Sequence, residues 1–299
     1  MTRGYDTEKI REKLIDALSQ SKTGLTGIEI AKKLQVNRVT MSKYLKIFAV
    51  EGLIKQKNIG SVNLWFIEEG VGQLNFPADF FQVKSKYTEY VLSTSSHEAN
   101  NLIRTALHSG ANPAKLVSEV IIPAIDAIEN AYDNGKIGKS EKNYLDGIIS
   151  TSVSLITFSA EEIDPKKNII ILATDYQNSL LARAASAAFQ AEKWKAFLLG
   201  DMSSAIDVLF DIDLQRFLNR VWPKRDGVMI ITIFSSTEGA IKFFSQAIDA
   251  SKTKFGKNLH LAICARVSKK TKITADFVSD NVETLLQWCQ TVFESSANQ

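Results

Sequence analysis

The chain has 299 residues, of which 45% are apolar and 23% are charged. This is the composition of an ordinary globular protein, and the length is enough for about two domains of 100–200 residues each. No apolar run approaches the roughly 20 residues that a membrane-spanning helix needs, and the N-terminus lacks the apolar core of a signal peptide. We therefore expect a cytoplasmic protein with no membrane partner.

The net charge of +3 is unevenly distributed along the chain. Residues 1–70 carry 12 Lys or Arg against 8 Asp or Glu, a net of +4, whereas the remainder carries 24 against 25, a net of −1. Basic charge gathered on one small segment favours a polyanion partner. Cys264 and Cys289 lie in apolar segments and are predicted to be buried thiols. The three histidines show no metal-ligand spacing, so no metal site is predicted.

Residues 1–70 show the pattern of three helices followed by a hairpin. The predicted helices cover 7–20, 27–34 and 38–51, and the predicted strands 53–57 and 62–66 flank a turn that contains Asn58 and Gly60. This order, and the segment VNRVTMSKYLKIFAVEGLI in particular, resembles the winged helix-turn-helix family, in which one helix enters the DNA major groove. With Met41, Leu45 and Phe48 directed inward, the predicted DNA contacts are Arg38, Thr40, Ser42, Lys43, Tyr44 and Lys46 on the helix and Lys55 and Lys57 in the wing. A protein-interaction module with a solvated basic face is the alternative.

Residues 71–95 form a connector with a cluster of aromatic residues. So many aromatic side chains predict packing against another surface. Because paired DNA half-sites need two recognition helices, we expect a homodimer or a higher homo-oligomer, and the connector is a candidate for part of its interface.

Residues 96–164 predict a small antiparallel bundle of helices over 96–108, 113–132 and 140–158, since the loops between them are short. The stretch from Ala106 to Ile148 resembles the helical cap that precedes cobalamin-binding domains. In light-sensing regulators of that family, a Trp stands where this chain has Tyr132, and a Glu-His pair stands at Lys142-Asn143. The resemblance therefore implies that the His that caps cobalt from above is absent.

Residues 165–299 alternate between apolar strands, 169–173, 196–199, 228–233 and 260–264, and helices, 180–192, 204–220, 238–251 and 281–294. This alternation predicts a Rossmann-like, mainly parallel sheet with its site at the carboxyl ends of the strands, beginning at the loop after Asp175. The segment resembles the cobalamin (B12)-binding domain along its length. The stretches that carry the resemblance are Gly200-Asp201, Arg225–Val228, Thr232–Thr237 and Thr274–Glu283.

The departures from that family lie at the ligand. The family's first loop reads D-x-H-x-x-G, but here Asp175 is kept, Gln177 replaces the His and Leu180 replaces the Gly. A carboxamide is a poor cobalt ligand, so the resemblance implies a scaffold without a protein lower ligand and with the slot for the nucleotide tail partly closed. Asp175 alone more often caps a helix than acts as an acid. The candidate ligand-binding residues are Tyr132, Asp175, Gln177, Thr232, Ser235, Ser236, Thr237 and Arg266.

The sequence thus predicts an α/β protein with all-α parts: a winged helix-turn-helix (1–70), a connector (71–95), a helical bundle (96–164) and a Rossmann-like parallel sheet (165–299). The first functional hypothesis is a transcriptional regulator that binds double-stranded DNA and uses a degenerate B12-type module to sense a small-molecule effector or to assemble. The alternatives are a corrinoid-binding protein in methyl transfer, with cobalamin held without a protein His, and a ligand-free repressor. No catalytic residue and no enzymatic activity are predicted.

Overall fold

The computed structural model describes residues 7–19, 21, 24–50, 53–60, 62–67, 74–159, 162–206, 209–265 and 275–297. Tertiary contacts divide the chain into an N-terminal unit, Met1–Asp79 together with Arg104–Gly110, and a C-terminal unit, Phe80–Ile103 together with Ala111–Gln299. Within the described ranges, every helix is too short or too polar to cross a bilayer.

The N-terminal unit contains three helices and a small antiparallel sheet. Thr26 begins the second helix with a capping box, because its Oγ1 accepts from Glu29 N at 3.2 Å while its own N donates to Glu29 Oε2 at 2.8 Å. One apolar core, which includes Leu14, Met41 and Trp65, joins the elements. In chain order they are α1 (Thr7–Ser19), β1 (Leu25–Thr26), α2 (Gly27–Lys33), α3 (Arg38–Val50), β2 (Lys55–Ile59) and β3 (Val62–Phe66), with strand order β1-β3-β2.

The hairpin between β2 and β3 is tighter than the sequence predicts. Ile59 pairs with Val62, so the turn has two residues and the strand includes Asn58. Gly60 has a φ of 61°, which suits the first central position of a two-residue hairpin turn and is easily adopted only by glycine. Ser61 lies outside the described residues.

The helical part of the C-terminal unit contains more helix than predicted. A helix occupies the stretch predicted as a connector and buries Phe80, Val83, Tyr87 and Val91. The predicted helix over 113–132 contains a π-helical segment, in which Ile122 N donates to Val117 O, directly before Pro123. Proline cannot donate a backbone hydrogen bond, and the wider turn accommodates its ring. The elements are α4 (Phe80–Leu92), α5 (Ser96–His108), which enters both units, α6 (Pro113–Leu116), the π segment (Val117–Ile121), α7 (Ile122–Asp133) and α8 (Lys139–Phe158).

The rest of the C-terminal unit is a five-stranded parallel sheet of order β5-β4-β6-β7-β8, covered by helices on both faces. Helices α9 and α12 pack on one face and α10 and α11 on the other. This confirms the predicted α/β class with a parallel sheet. The elements are β4 (Asp164–Ala173), α9 (Tyr176–Ala191), β5 (Trp194–Asp201), a 3₁₀ turn (Ser203–Ala205), α10 (Phe210–Val221), β6 (Val228–Ser235), α11 (Glu238–Phe255), β7 (Leu259–Ala265), β8 (Phe277–Ser279) and α12 (Val282–Ala297).

Two predictions about this half are wrong. The polar loop predicted after Asp175 is the first turn of α9, which begins at Tyr176 instead of Leu180. A fifth strand, β8, pairs with β7 where the sequence shows no strand. That strand has three half-buried or exposed residues, too few to produce a recognisable hydrophobic pattern.

We expect the stability of the C-terminal unit to depend on pH through His260 on β7. Burial lowers the pKa of His260 below its usual 6.5, and the charge of Lys252 adds to this while Asp276 opposes it. The folded state therefore binds the proton less well than the unfolded chain, so stability falls as pH drops below about 6.5. We expect His260→Gln to show a smaller loss of urea midpoint between pH 7.5 and pH 5.5 than the unaltered protein.

The matched control is His97→Gln, which removes an exposed imidazole of α5. Equal pH dependence in the unaltered protein and His260→Gln would contradict the assignment.

Candidate functional site

A cleft of about 150 Å³ lies between α7, the first turns of α9 and the carboxyl ends of β6 and β7. This is the edge at which open α/β sheets bind ligands. All of its walls belong to the C-terminal unit. They are formed by Ile125, Asp126, Glu129 and Asp133 from α7, Gln177, Asn178 and Leu181 from α9, and Ser236, Cys264, Ala265 and Asp280 from the sheet edge.

The carboxylate of Asp175 is used at this edge for hydrogen bonds within the protein. Its carboxylate accepts from Asn178 N at 2.9 Å and from Asn178 Nδ2 at 2.7 Å, which caps α9. The same carboxylate accepts from Ser236 N at 3.2 Å, and so ties the end of β4 to the end of β6. Its neighbour Gln177 is exposed and lines the cleft. Of the two, Gln177 is the residue placed to meet a ligand.

The hydroxyl-rich end of β6 is also bonded internally. Thr174 Oγ1 donates to Ser235 Oγ at 2.6 Å, and Ser235 Oγ accepts from Thr237 N at 3.2 Å. Neither the Thr174 nor the Ser235 side chain belongs to the described lining of the cleft. Only Ser236 of this group lines it. Thr232 is fully buried, and its hydroxyl has no hydrogen-bond partner among the described residues.

The remaining predicted ligand residues are placed elsewhere. Tyr132 is half-buried on α7 and is absent from the described lining of the cleft, and Arg266 lies outside the described residues. The sequence pattern missed Asp126, Glu129, Asp133 and Asp280, which are acidic residues of a helix face and a strand end. A series of outward-facing carboxylates on a helix usually indicates a face exposed to solvent. Only the position of α7 in the structure shows that these residues border a cleft.

The cleft is acidic. Its described lining contains four carboxylates and neither Lys nor Arg. Among them, Glu129 forms an ion pair with Lys142 Nζ at 2.9 Å. Such a lining attracts cations and hydrogen-bond donors and repels phosphate.

Lys142 joins α7 to α8 behind this wall. It is buried, and its Nζ lies 2.9 Å from Glu129 Oε1 and 2.9 Å from Asp146 Oδ2. Burial opposes the charge of Lys142, but the bonds to the two carboxylates outweigh it and hold its pKa above the usual value. By the resemblance, this charged lysine stands at the position of the Glu, and the position of the upper histidine is the next residue, Asn143, which lines a neighbouring cleft.

Two further clefts flank the first one. One of about 270 Å³ shares Gln177 with it and is bordered by Asp146 and Arg183, whose Nη1 donates to Ser150 Oγ of α8 at 2.8 Å. The other, of about 280 Å³, shares Asp126 and Leu181. The junction of the helices with the sheet is thus divided into small spaces, each below the roughly 300–1,000 Å³ of sites for drug-sized ligands.

A larger hollow, about 370 Å³, lies beside edge strand β5 and helix α10. Its described lining is almost wholly apolar, with Ser204 and Asp213 as the polar exceptions. Specific ligands are oriented by several polar groups that converge, so the polar cleft at the sheet edge is the better candidate site.

In the N-terminal unit, α3 presents most of the predicted DNA contacts to solvent. Arg38, Ser42, Lys43 and Lys46 are exposed, as are Lys55 and Lys57 on β2. Thr40 is half-buried. Tyr44 is half-buried too, because it stacks on Phe48 at a centroid distance of 5.9 Å and packs against the core. The pattern missed two exposed valines of α3, Val39 and Val50.

Comparison with known proteins gives a fold and no family. No protein-family model matches the chain, and no curated protein matches it. Among solved structures, the monomethylamine corrinoid protein of Methanosarcina barkeri matches with a TM-score of 0.56 at 13% identity, over 71% of this chain and 99% of that chain. At this identity the match shows a shared fold alone.

Two weaker matches are a cobalamin-binding protein of Desulfitobacterium hafniense DCB-2 (TM-score 0.38, 14% identity, 70% of this chain and 98% of that chain) and the methanol:cobalamin methyltransferase complex of Methanosarcina barkeri (TM-score 0.36, 12% identity, 86% and 93%). Their scores are too low to carry an argument.

The residues at the cleft do not fit a corrinoid whose cobalt is ligated by the protein. The described lining offers carboxylates and amides and contains no imidazole, and no described group of His, Cys, Asp and Glu is arranged to hold a metal ion. The layer beneath, between the sheet and α9, is closed by fully buried Ile171, Ala185, Phe189 and Phe234. The unpartnered hydroxyl of Thr232 does not by itself make a polar slot for a nucleotide tail.

The ion pairs that Lys142 forms are expected to stabilise the wall of the cleft, and a substitution tests this. Lys142→Met leaves the carboxylates of Glu129 and Asp146, which are 24% and 15% exposed, without their cation. We expect a loss of about 2 kcal/mol in the free energy of unfolding, less than the roughly 3–5 kcal/mol for a fully buried pair, because both carboxylates keep some contact with water. Urea denaturation at pH 7 measures it.

Lys139→Met is the matched control, since Lys139 is an exposed lysine of the same helix. The network has no supporting role if the two variants unfold at the same urea concentration.

Proposed function

We propose that the C-terminal unit is a ligand-binding sensor built on the fold of a corrinoid-binding protein, and that the N-terminal unit binds duplex DNA. The observation that carries the first part is the fold match, which spans 99% of the Methanosarcina barkeri corrinoid protein and a share of this chain close to that of the C-terminal unit. In this fold class the cleft at the carboxyl edge of the sheet is the expected place for a ligand.

Of the hypotheses drawn from the sequence, the fold match favours corrinoid binding over DNA-binding regulation, because the matched protein of Methanosarcina barkeri is a corrinoid protein. The side chains at the cleft restrict how far this similarity in fold supports corrinoid binding. With Gln177 at the cleft and no described imidazole beside it, a corrinoid would have to be held without a protein ligand to cobalt. The methyl carriers that the sequence resembles depend on that ligand, so the residues favour a sensing role without an enzymatic step.

A ligand of another class is consistent with the same site. The acidic lining and the volume of about 150 Å³ suit a small molecule that carries a cation or several hydrogen-bond donors. Its binding would act on DNA by favouring one arrangement of the chain over another. Assembly as a homo-oligomer would bring two DNA-binding units to paired half-sites.

The corrinoid question has a direct test. We expect the purified protein, mixed with hydroxocobalamin and passed through gel filtration, to elute without the visible absorbance of the corrin, because the cleft is divided and its described lining offers no imidazole to cobalt. Mass spectrometry of small molecules retained by gently purified protein identifies the ligand that takes its place. Stoichiometric co-elution of cobalamin would instead establish the corrinoid-binding alternative.

DNA binding by the N-terminal unit is favoured by a separate observation. The exposed face of α3 carries Arg38, Lys43 and Lys46, the helix contains no acidic residue, and Lys55 and Lys57 are exposed on β2 beside it in sequence. The order of helices followed by a hairpin is that of the winged helix-turn-helix family which the sequence resembles. A cationic helix of this kind suits the phosphates and base edges of a major groove.

Salt dependence tests the DNA contact. We expect Lys43→Ala with Lys46→Ala to weaken duplex binding and to reduce the slope of log affinity against log salt by about two, since each lysine that neutralises a phosphate contributes roughly 0.9. Fluorescence anisotropy with a labelled duplex at several salt concentrations measures both quantities. The matched control is Lys136→Ala, an exposed lysine of the C-terminal unit. An unchanged slope in the double variant would remove α3 from the DNA interface.

A further inference from the structure

The outermost line of α3 is not purely cationic. The helix buries Met41, Leu45 and Phe48, and the face directly opposite, at spacings of three and four residues, carries Val39, Lys43, Lys46 and Val50. Val39 is 67% exposed and Val50 is 91% exposed. These two valines stand in water on the face that otherwise suits nucleic acid, and Ile47 beside this face is 47% exposed.

Val39 is the better placed of the two to meet a base. It lies in the first turn of α3, where Asn37 Oδ1 accepts a hydrogen bond from Val39 N at 2.9 Å. In a helix that enters the major groove, the residues near the N-terminus contact base edges. Val50 ends the helix and lies about three turns away.

The chemistry of the groove leaves one partner for such a side chain. Valine can neither donate nor accept a hydrogen bond, so it gains nothing from phosphates or from base heteroatoms. The 5-methyl group of thymine is the apolar feature of the major groove. The flanking Arg38 and Lys43, with no acidic residue on the helix, are complementary in charge to DNA.

We propose, on the basis of the DNA binding proposed above, that Val39 contacts a thymine methyl group in the major groove and makes the protein prefer a T·A pair at that position of its site. Lys43, one turn further along the same face, is then placed over the neighbouring phosphates or a guanine edge. Val39 is thereby a specificity residue, and the lysines supply affinity that depends little on sequence.

The experiment uses the full-length protein. A preferred duplex is selected from a randomised pool, and each thymine in it is replaced in turn by deoxyuridine, which removes the 5-methyl group and keeps every hydrogen-bonding atom. At one thymine per half-site we expect deoxyuridine to weaken binding about fourfold, which corresponds to about 0.8 kcal/mol at 1.4 kcal/mol per tenfold. Val39→Ala should weaken binding to the thymine duplex by a similar factor and lose nothing further with deoxyuridine.

Val50→Ala is the matched control, because it is the same residue type on the same face of the same helix. We expect it to keep the full sensitivity to deoxyuridine. The proposal is overturned if Val39→Ala remains as sensitive as the unaltered protein, or if no thymine position responds. Failure to select or bind any duplex is a different result, because it refutes the proposed DNA binding itself and the thymine contact with it.

Discussion

The structure of the C-terminal unit depends on the burial of one strand on both of its faces. All eight residues of β6 are buried, and the strand lies between β4 and β7 in the middle of the sheet. Such a strand cannot face water on either side, so a layer of helices must cover each face, and right-handed crossovers between parallel strands place them there. Every parallel strand then ends at the same edge. At that edge the exposed side chain of Gln177 lines the cleft.

The hydrogen bonds of Asp175 both support this edge of the sheet and close the gap between two of its strands. Its carboxylate caps α9 and holds the backbone of Ser236, so it joins two strand ends that a ligand would otherwise separate. Asn178 adds a second bond across the gap, from Nδ2 to Ser236 Oγ at 2.7 Å. These bonds close the gap between the ends of β4 and β6, which agrees with the proposal that the cleft holds a ligand other than a large flat cofactor.

The sequence predicts the strands of the sheet well and its edges poorly. The apolar runs at β4 and β6 can be recognised as strands from the sequence, because strands buried on both faces lack the alternation of polar and apolar residues. Strand β8 is short and half-exposed, and the start of α9 depends on a cap that only the fold completes.

For the site, Gln177 and Ser236 were found from their positions after strands. The acidic wall was not, because it depends on how α7 lies against the sheet.

The distribution of charge argues for two separate tasks in one chain. The net positive charge belongs to residues 1–70, and the remainder carries a net charge of −1. The cleft of the C-terminal unit is lined by carboxylates, which repel the phosphates that the cationic face of α3 attracts. The two described surfaces therefore suit partners of opposite charge. If ligand binding displaces α7, the buried bonds of Lys142 to Glu129 and Asp146 oblige α8 to follow, because breaking them would leave charges without partners in a site of low exposure. This coupling between the cleft and the helices around it is the minimum that a sensor requires.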